Sequence, residues 1–338
     1  MRHGCVVHMR HPCQSCETFA DCSFRRLVLV VFLSLWTNCL PAGPLQDVIK
    51  ERRVERMRDA LSDEMDSGST RSLPVGVIMK GDLAYGDDPS QRLDVYLRGD
   101  AKTPMPIIFM VHGGAWKYGD KRMGTVIENK IQRWVPKGFI FVSVNNRLLP
   151  AANPFEQAED VARALAYVQQ HATEFHGDPD RVILMGHSAG AHLVSLVATH
   201  PNLAVKQGVK PWLGTVSLDS AAYDITEIMQ HRHYKFYDEA FGKDPAFWKK
   251  TSPSLTMVDP LAPLLAVCSS RRDDSIPQAK QFAARAKQSG SSVTVLSEDL
   301  SHKEINQKLG EPGTYTEAVE AFLRKLDAQI AARLEVAR

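Results

Sequence analysis

The stretch Leu184-Met185-Gly186-His187-Ser188-Ala189-Gly190 constrains this chain more than any other, because it joins an apolar run to an amphipathic one through a serine flanked by glycines. Arg181 to Met185 has the β-branched, apolar character of a buried strand, and His192 to Thr199 reads as a helix that stops before Pro201. A strand that feeds a helix through so short a link needs nearly side-chain-free residues two before and two after the serine, the spacing GxSxG. Ser188 then stands at a helix N-terminus, where free N–H groups and the helix dipole favour developing negative charge.

Around this turn the chain alternates between strand and helix patterns. Val75 to Leu83 and Leu93 to Leu97 read as strands separated by the turn Gly86-Asp87-Asp88-Pro89, a hairpin at a sheet edge. Ile107 to Val111 and Phe139 to Val144 are apolar throughout, as buried central strands are, and Val126 to Val135 forms the crossover helix between them. Phe155 to His171 repeats Ala158, Val161, Ala162, Leu165 and Val168 at the period of a helix lying on a sheet. Gly214 to Leu218, Leu264 to Val267 and Val293 to Leu296 supply later strands, and Thr316 to Ala331 closes the chain as an amphipathic helix. The result is an α/β fold with a mostly parallel central sheet flanked by helices. Residues 221–258 interrupt the rhythm with aromatics and histidines and read as an insertion over the C-terminal edge of that sheet.

The same edge receives His112-Gly113-Gly114-Ala115-Trp116, directly after a central strand. Two consecutive glycines let the backbone turn with its N–H groups facing a ligand, the requirement of an oxyanion hole. With both motifs in place, the chain resembles the α/β-hydrolases of the carboxylesterase, BD-FAE-like and kynurenine-formamidase-like group, which carry HGGxW before GxSxG. The resemblance covers roughly Val75 to Leu326. It implies an oxyanion hole built around Gly113, Gly114, Ala115 and Ala189, with Trp116 packed beneath the loop, and a triad in the order serine, acid, histidine.

His302, in Leu300-Ser301-His302, follows the last expected strand and precedes a helix-forming segment, where this fold delivers its base. The other histidines have plainer readings: His187 is the variable residue of the turn, His192 lies one helical turn further on, and His200 is helix-end polarity. His231 and His233 have the spacing of a metal pair, but no carboxylate or cysteine at ligand spacing joins them. For the acid, the loop after Leu264 to Cys268 offers Asp273 and Asp274. A DxxVP-like count back from Pro277 selects Asp273, whereas the Asp-Ser dipeptide, which resembles the formamidase-like acid loop, selects Asp274, the preferred choice. Asp219, after Leu218, is a third carboxylate at the sheet edge and reads as structural.

The implied activity is hydrolysis of carboxylic esters of short-to-medium acyl chains through an acyl-enzyme, with no metal or organic cofactor. Arylformamide hydrolysis is the alternative enzyme reading, and a catalytically silent binding module the non-enzyme one. Seven aromatics between Tyr223 and Trp248 either line an acyl or aryl pocket or form local core.

The net charge of +2 and the lack of a basic run interleaved with aromatics give no argument for nucleic acid, so the expected partner is a small ester. Five of the six cysteines lie in the first 39 residues, leaving Cys268 alone in the body. Cys13 and Cys16 lack the second pair a zinc site needs. Arg25-Arg26 followed by Leu27 to Trp36 resembles an export signal too short for a membrane span, with Cys39 as an alternative lipid attachment point. The expected organisation is thus a signal-like segment (1–42), a charged helical lead-in (43–72) and a catalytic domain (73–338), exported and with no stable membrane span.

Overall fold

Two alternations dominate the described residues, 71–257 and 261–335 of a computed structural model. One is strand with helix along the chain, and the other is side-chain direction along each strand. The signal-like segment and nearly all of the charged lead-in lie outside the described residues. The strands are β1 (Val77–Ala84), β2 (Arg92–Arg98), β3 (Met105–Val111), β4 (Ile140–Val144), β5 (Gly177–His187), β6 (Gly214–Leu218), β7 (Leu264–Ser269) and β8 (Val293–Glu298). They form one sheet in the order β1-β2-β4-β3-β5-β6-β7-β8. β2 runs antiparallel to β1 and β4, and every other pairing is parallel. This is the fold of an α/β-hydrolase, with the expected hairpin at one edge.

The helices are α1 (Gly124–Trp134), α2 (Pro154–Gln170), α3 (Ala189–Thr199), α4 (Pro201–Lys206), α5 (Ile225–Gln230), α6 (Lys235–Phe241), α7 (Pro245–Lys250), α8 (Pro253–Thr256), α9 (Ser275–Gln288), α10 (His302–Gln307), α11 (Thr314–Arg324) and α12 (Ala328–Glu335). They cover both faces of the sheet, which is why β3, β4, β6 and β7 are buried from end to end. On β3 the alternation is plain: Ile107, Phe109 and Val111 join the core with α2 and α3, while Ile108 and Met110 face α1 and α11 on the other side. Asn153 caps α2, its side chain accepting from the N–H of Phe155 and Glu156 while Glu156 returns a bond to Asn153 N–H, and Pro154 fills the first helical position.

One segment differs from the sequence expectation, and another gains detail. Thr316 to Ala331 is two helices rather than one, because Asp327 Oδ1 accepts from the N–H of Gln329 and Ile330 and so begins α12 afresh. Within 221–257 the chain forms four short helices, α5 to α8, with Asp224 and Asp244 capping α5 and α7. Among the described residues no helix is long and apolar enough to cross a membrane.

The register places the site. His187 is paired with Leu218, and Leu218 with Val267, so β5 and β6 end level while β7 runs on to Ser269. Ser188 and Asp219 therefore leave adjacent strands side by side: Ser188 N–H donates to Leu218 O at 2.9 Å, and Asp219 N–H to Val267 O at 2.8 Å.

Candidate active site

The turn after β5 is as tight as its glycines imply. A Cβ on Gly186 would stand 2.4 Å from the Gly190 carbonyl oxygen, and one on Gly190 would stand 2.3 Å from His112 O. Both approaches are to backbone, which has no room to yield. Ser188 sits between them at φ 54° and ψ −117°, a conformation unfavourable to a side chain, and is half-buried. Seven described non-glycine residues have positive φ, and Ala115, Trp116, Ser188, Asp219 and Ala221 are five of them. Among the described residues, backbone strain is thus concentrated at the strand ends that meet at the candidate site.

The glycine loop after β3 lies against the serine. A Cβ on Gly113 would come within 3.0 Å of Ser188 Cβ, and Gly114, at φ +118°, has the Tyr118 carbonyl where its Cβ would be. Gly114 O accepts from the N–H of Lys117 and Tyr118, and Trp116 O accepts from Leu149 N–H and from Gln157 Nε2. Ala189 is the first residue of α3, so its N–H has no partner within the helix.

Trp116 is buried as expected, and its indole N–H donates to His192 Nδ1 at 3.2 Å. His192 Nε2 lies 2.8 Å from Thr251 O, which can only accept. These two partners fix a neutral tautomer with the proton on Nε2. Burial pushes the His192 pKa down to about 4, so it stays neutral. One imidazole thereby ties the glycine loop, the serine's helix and the insertion together, a role its helical position had not suggested. Trp116 also packs on Phe236, Tyr237 and Phe241 at centroid distances of 6.3, 5.7 and 4.8 Å. Trp116, Tyr237 and Phe241 are buried core, and of these Tyr237 also lines a cleft. Beside them a cleft of about 220 Å³ opens between Tyr234, Tyr237, Ala221 and Asp274.

His302 begins α10 under a capping box made by Ser301 and Glu304, which explains why Leu300-Ser301-His302 turns sharply here. Its backbone carbonyl accepts from His187 Nε2 at 3.0 Å, and burial pushes the His187 imidazole well below its ordinary pKa, so the donor is a neutral ring. Lys130, buried on α1, donates to Asn306 O at 2.7 Å and Asn306 Oδ1 at 2.8 Å, fixing α10 from the other side.

The acid expectation needs correction. His302 Nδ1 lies 2.6 Å from Asp219 Oδ2, not against Asp274 or Asp273. Asp273 is exposed, and the Asp274 carboxylate, 44% exposed, is held bidentately by Arg272 at 3.0 and 3.1 Å. Asp219 is fully buried; its Oδ1 accepts from Ser269 N–H at 2.9 Å and from Ser275 Oγ, and its Oδ2 from His302 and from Arg272 Nη1 at 2.9 Å. Burial alone raises this carboxyl, but Arg272, His302 and the Ser269 N–H outweigh it and hold the pKa far below the usual range. Asp219 therefore stays ionised. It orients His302 with Nδ1–H as donor, which leaves the Nε2 lone pair to act as a base.

From the sequence Asp219 reads as a structural carboxylate at the sheet edge, and the structure brings it to His302 instead. The signal that could have found it is its place directly after a fully apolar strand adjoining the serine's strand, but that adjacency is a property of sheet order. His231 and His233 do not gather a metal-ligating group: His233 bonds to Asp238 and to His231 O, and among the described residues no cluster of three His, Cys, Asp or Glu is placed to hold a metal.

The BD-FAE family model matches residues 93–287, more than half of the 338-residue chain. The probable isoprenylcysteine alpha-carbonyl methylesterase ICME of Oryza sativa subsp. japonica is 27% identical over 235 residues, covering 63% of this chain and 55% of that protein. Esterase LipC of Mycobacterium tuberculosis is 29% identical over 220 residues, covering 60% and 54%. The chain thus spans about half the length of the curated relatives it matches. Among solved structures, esterase B from Lactobacillus rhamnosis superposes with a TM-score of 0.63 at 22% identity, covering 86% of this chain and 96% of that one, a likeness of fold.

Proposed function

Because the chain belongs to the BD-FAE family, we propose that it hydrolyses carboxylic esters of short-to-medium acyl chains through Ser188, His302 and Asp219. The observation that carries this reading is the 2.6 Å bond from His302 Nδ1 to the buried Asp219, one strand away from Ser188. His302 Nε2 takes the Ser188 Oγ proton as the oxygen attacks the ester carbonyl, and Asp219 stabilises the imidazolium that forms. The tetrahedral oxyanion is met by backbone N–H groups of Gly114, Ala115 and Ala189, with Gly113 keeping the loop close to the serine. Losing one such donor costs roughly 3 kcal/mol. His302 then protonates the leaving alcohol, and water repeats the cycle on the acyl-enzyme. The modest size of the cleft lined by Ala221, Tyr234 and Tyr237, about 220 Å³, supports a small acyl group.

The esterase names of the relatives support ester substrates. The test is hydrolysis of p-nitrophenyl acetate and butyrate together with labelling by a fluorophosphonate probe, with N-formylkynurenine and an acyl ester panel as competitors. Ser188→Ala should abolish both turnover and labelling. A folded wild-type protein inert to the probe would favour a binding module instead. On sequence grounds the segment from Arg25 to Trp36 supports export; a version lacking residues 1–42 should then stay in the cytoplasm on fractionation of the producing cells.

A further inference from the structure

Arg272 brings a positive charge to the acid end of the triad that the reaction above does not use. Its Nη1 lies 2.9 Å from Asp219 Oδ2 and also 2.9 Å from His302 Nδ1. A guanidinium has donors only. Since His302 Nδ1–H already donates to the same Oδ2 at 2.6 Å, two donors converge on one oxygen and the contact between Arg272 and His302 is donor against donor. It is tolerated while the imidazole is neutral and becomes a repulsion of like charges once His302 is protonated. On its other side the guanidinium is gripped by Asp274 through Nε and Nη2, the strong bidentate geometry. Arg272 is thus shared between one buried carboxylate and one that reaches solvent.

We propose that Arg272 and Asp274 form a charge-tuning pair behind the triad: Arg272 keeps His302 in its neutral, base-competent form toward acidic pH, and Asp274 moderates that effect. The proposal rests on the reading of Ser188, His302 and Asp219 given above. Both residues are positioning residues, acting on the reaction through His302. Asp219, Arg272 and Asp274 together place one net negative charge beside the imidazole. Removing Arg272 leaves two negative charges, which favour the imidazolium, and removing Asp274 leaves none, which disfavours it. The remaining groups around His302 are the same in every variant. They are His187 from the end of β5, with ring centroids 4.5 Å apart, Lys130 from α1 through Asn306, and Tyr315 from α11, whose hydroxyl bonds to Ile305 O. On and beside α10 are Lys303, Glu304 and Lys308, with Arg271 bonded to Glu304.

The experiment is the pH profile of kcat/KM for p-nitrophenyl butyrate with wild type, Arg272→Met, Arg272→Lys and Asp274→Asn, over the range in which each melts as a folded protein. Its acid limb reports the protonation of the free enzyme's base. Arg272→Met should move that limb up by about one pH unit, and Asp274→Asn should move it down by less, since its charge acts from behind Arg272. Arg272→Lys should restore the wild-type limb. All three should stay within about tenfold of wild type on the alkaline plateau, because the oxyanion donors are untouched. Limbs that stay put or shift together, with losses equal at every pH, would show a purely structural role and overturn the proposal. If Arg272→Met does not fold, the Asp274→Asn shift and the Arg272→Lys limb decide it. A wild type without Ser188-dependent hydrolysis would instead remove the triad itself, and the tuning with it.

Discussion

The turn at Ser188 and the loop from Arg271 to Ser275 sit at the same edge of the same sheet, but they are held by different forces. The turn is held by contact between backbones: Gly186 against Gly190, Gly190 against His112 and Val111, and Ser188 N–H on Leu218 O. The loop is held by charge, with Arg271 bonded to Asp299 and Glu304, and Arg272 bonded to Asp219 and Asp274. The 2.3 to 2.4 Å that an added Cβ would meet at either glycine makes this fit all-or-none, since neither the end of β3 nor the start of α3 can retreat without losing backbone bonds. Ion pairs are graded, and a conservative substitution changes them by degrees. On the proposed reading the first region would decide whether a nucleophile is presented at all, and the second under what conditions its base works.

That contrast can be broken at either end. Gly190→Ala has the largest expected effect. The added methyl must displace the end of β3 or the start of α3, so soluble active protein should be lost, as read by expression, melting and probe labelling. Full activity in Gly190→Ala would mean that the turn is not sterically locked. Next comes His192→Leu, which leaves the Trp116 indole N–H and the Thr251 carbonyl without partners. Its kcat should fall about tenfold to a hundredfold as the glycine loop loosens, with KM little changed. His192→Gln, which keeps a donor and an acceptor, should recover part of the loss; an unchanged kcat in the leucine variant would show that the loop does not depend on this bridge.

At neutral pH the smallest effect is the one that concerns acid stability, because it appears only as pH falls. His192 is pushed by burial from 6.5 to about 4, so between those values the unfolded chain binds a proton that the folded one does not. Stability attributable to His192 is complete above pH 6.5 and falls by roughly 3 kcal/mol as pH drops to about 4. Burial shifts His112 and His187 in the same direction. Urea midpoints measured from pH 7 to pH 4 should therefore decline, and less steeply in His192→Gln. A decline of identical slope would show that this histidine is not the buried neutral group described.

The contrast also explains what could be read from the sequence. The strands were legible because burial on both faces leaves unbroken apolar runs such as Ile107 to Val111. The turn that carries Ser188 was legible because its constraints lie within two residues on either side, and the position of His302 because it follows the last strand and opens a helix-forming segment. Asp219 was not, since its claim to His302 depends on β6 lying between β5 and β7, a long-range fact absent from local pattern. Asp274 sits in the expected loop, but its neighbour two residues back, Arg272, turns onto it. The break before Ala328 was missed because apolar periodicity continues across it, while Asp327 restarts the helix by capping.

The central claim, that Asp219 rather than Asp274 orients His302, is tested most directly by kcat/KM of Asp219→Asn and Asp274→Asn measured side by side at pH 8. Asp219→Asn should lose about 10³- to 10⁴-fold, as expected when a triad histidine loses its carboxylate, and Asp274→Asn less than about tenfold. The reverse order, or equal small losses in both, would contradict the account.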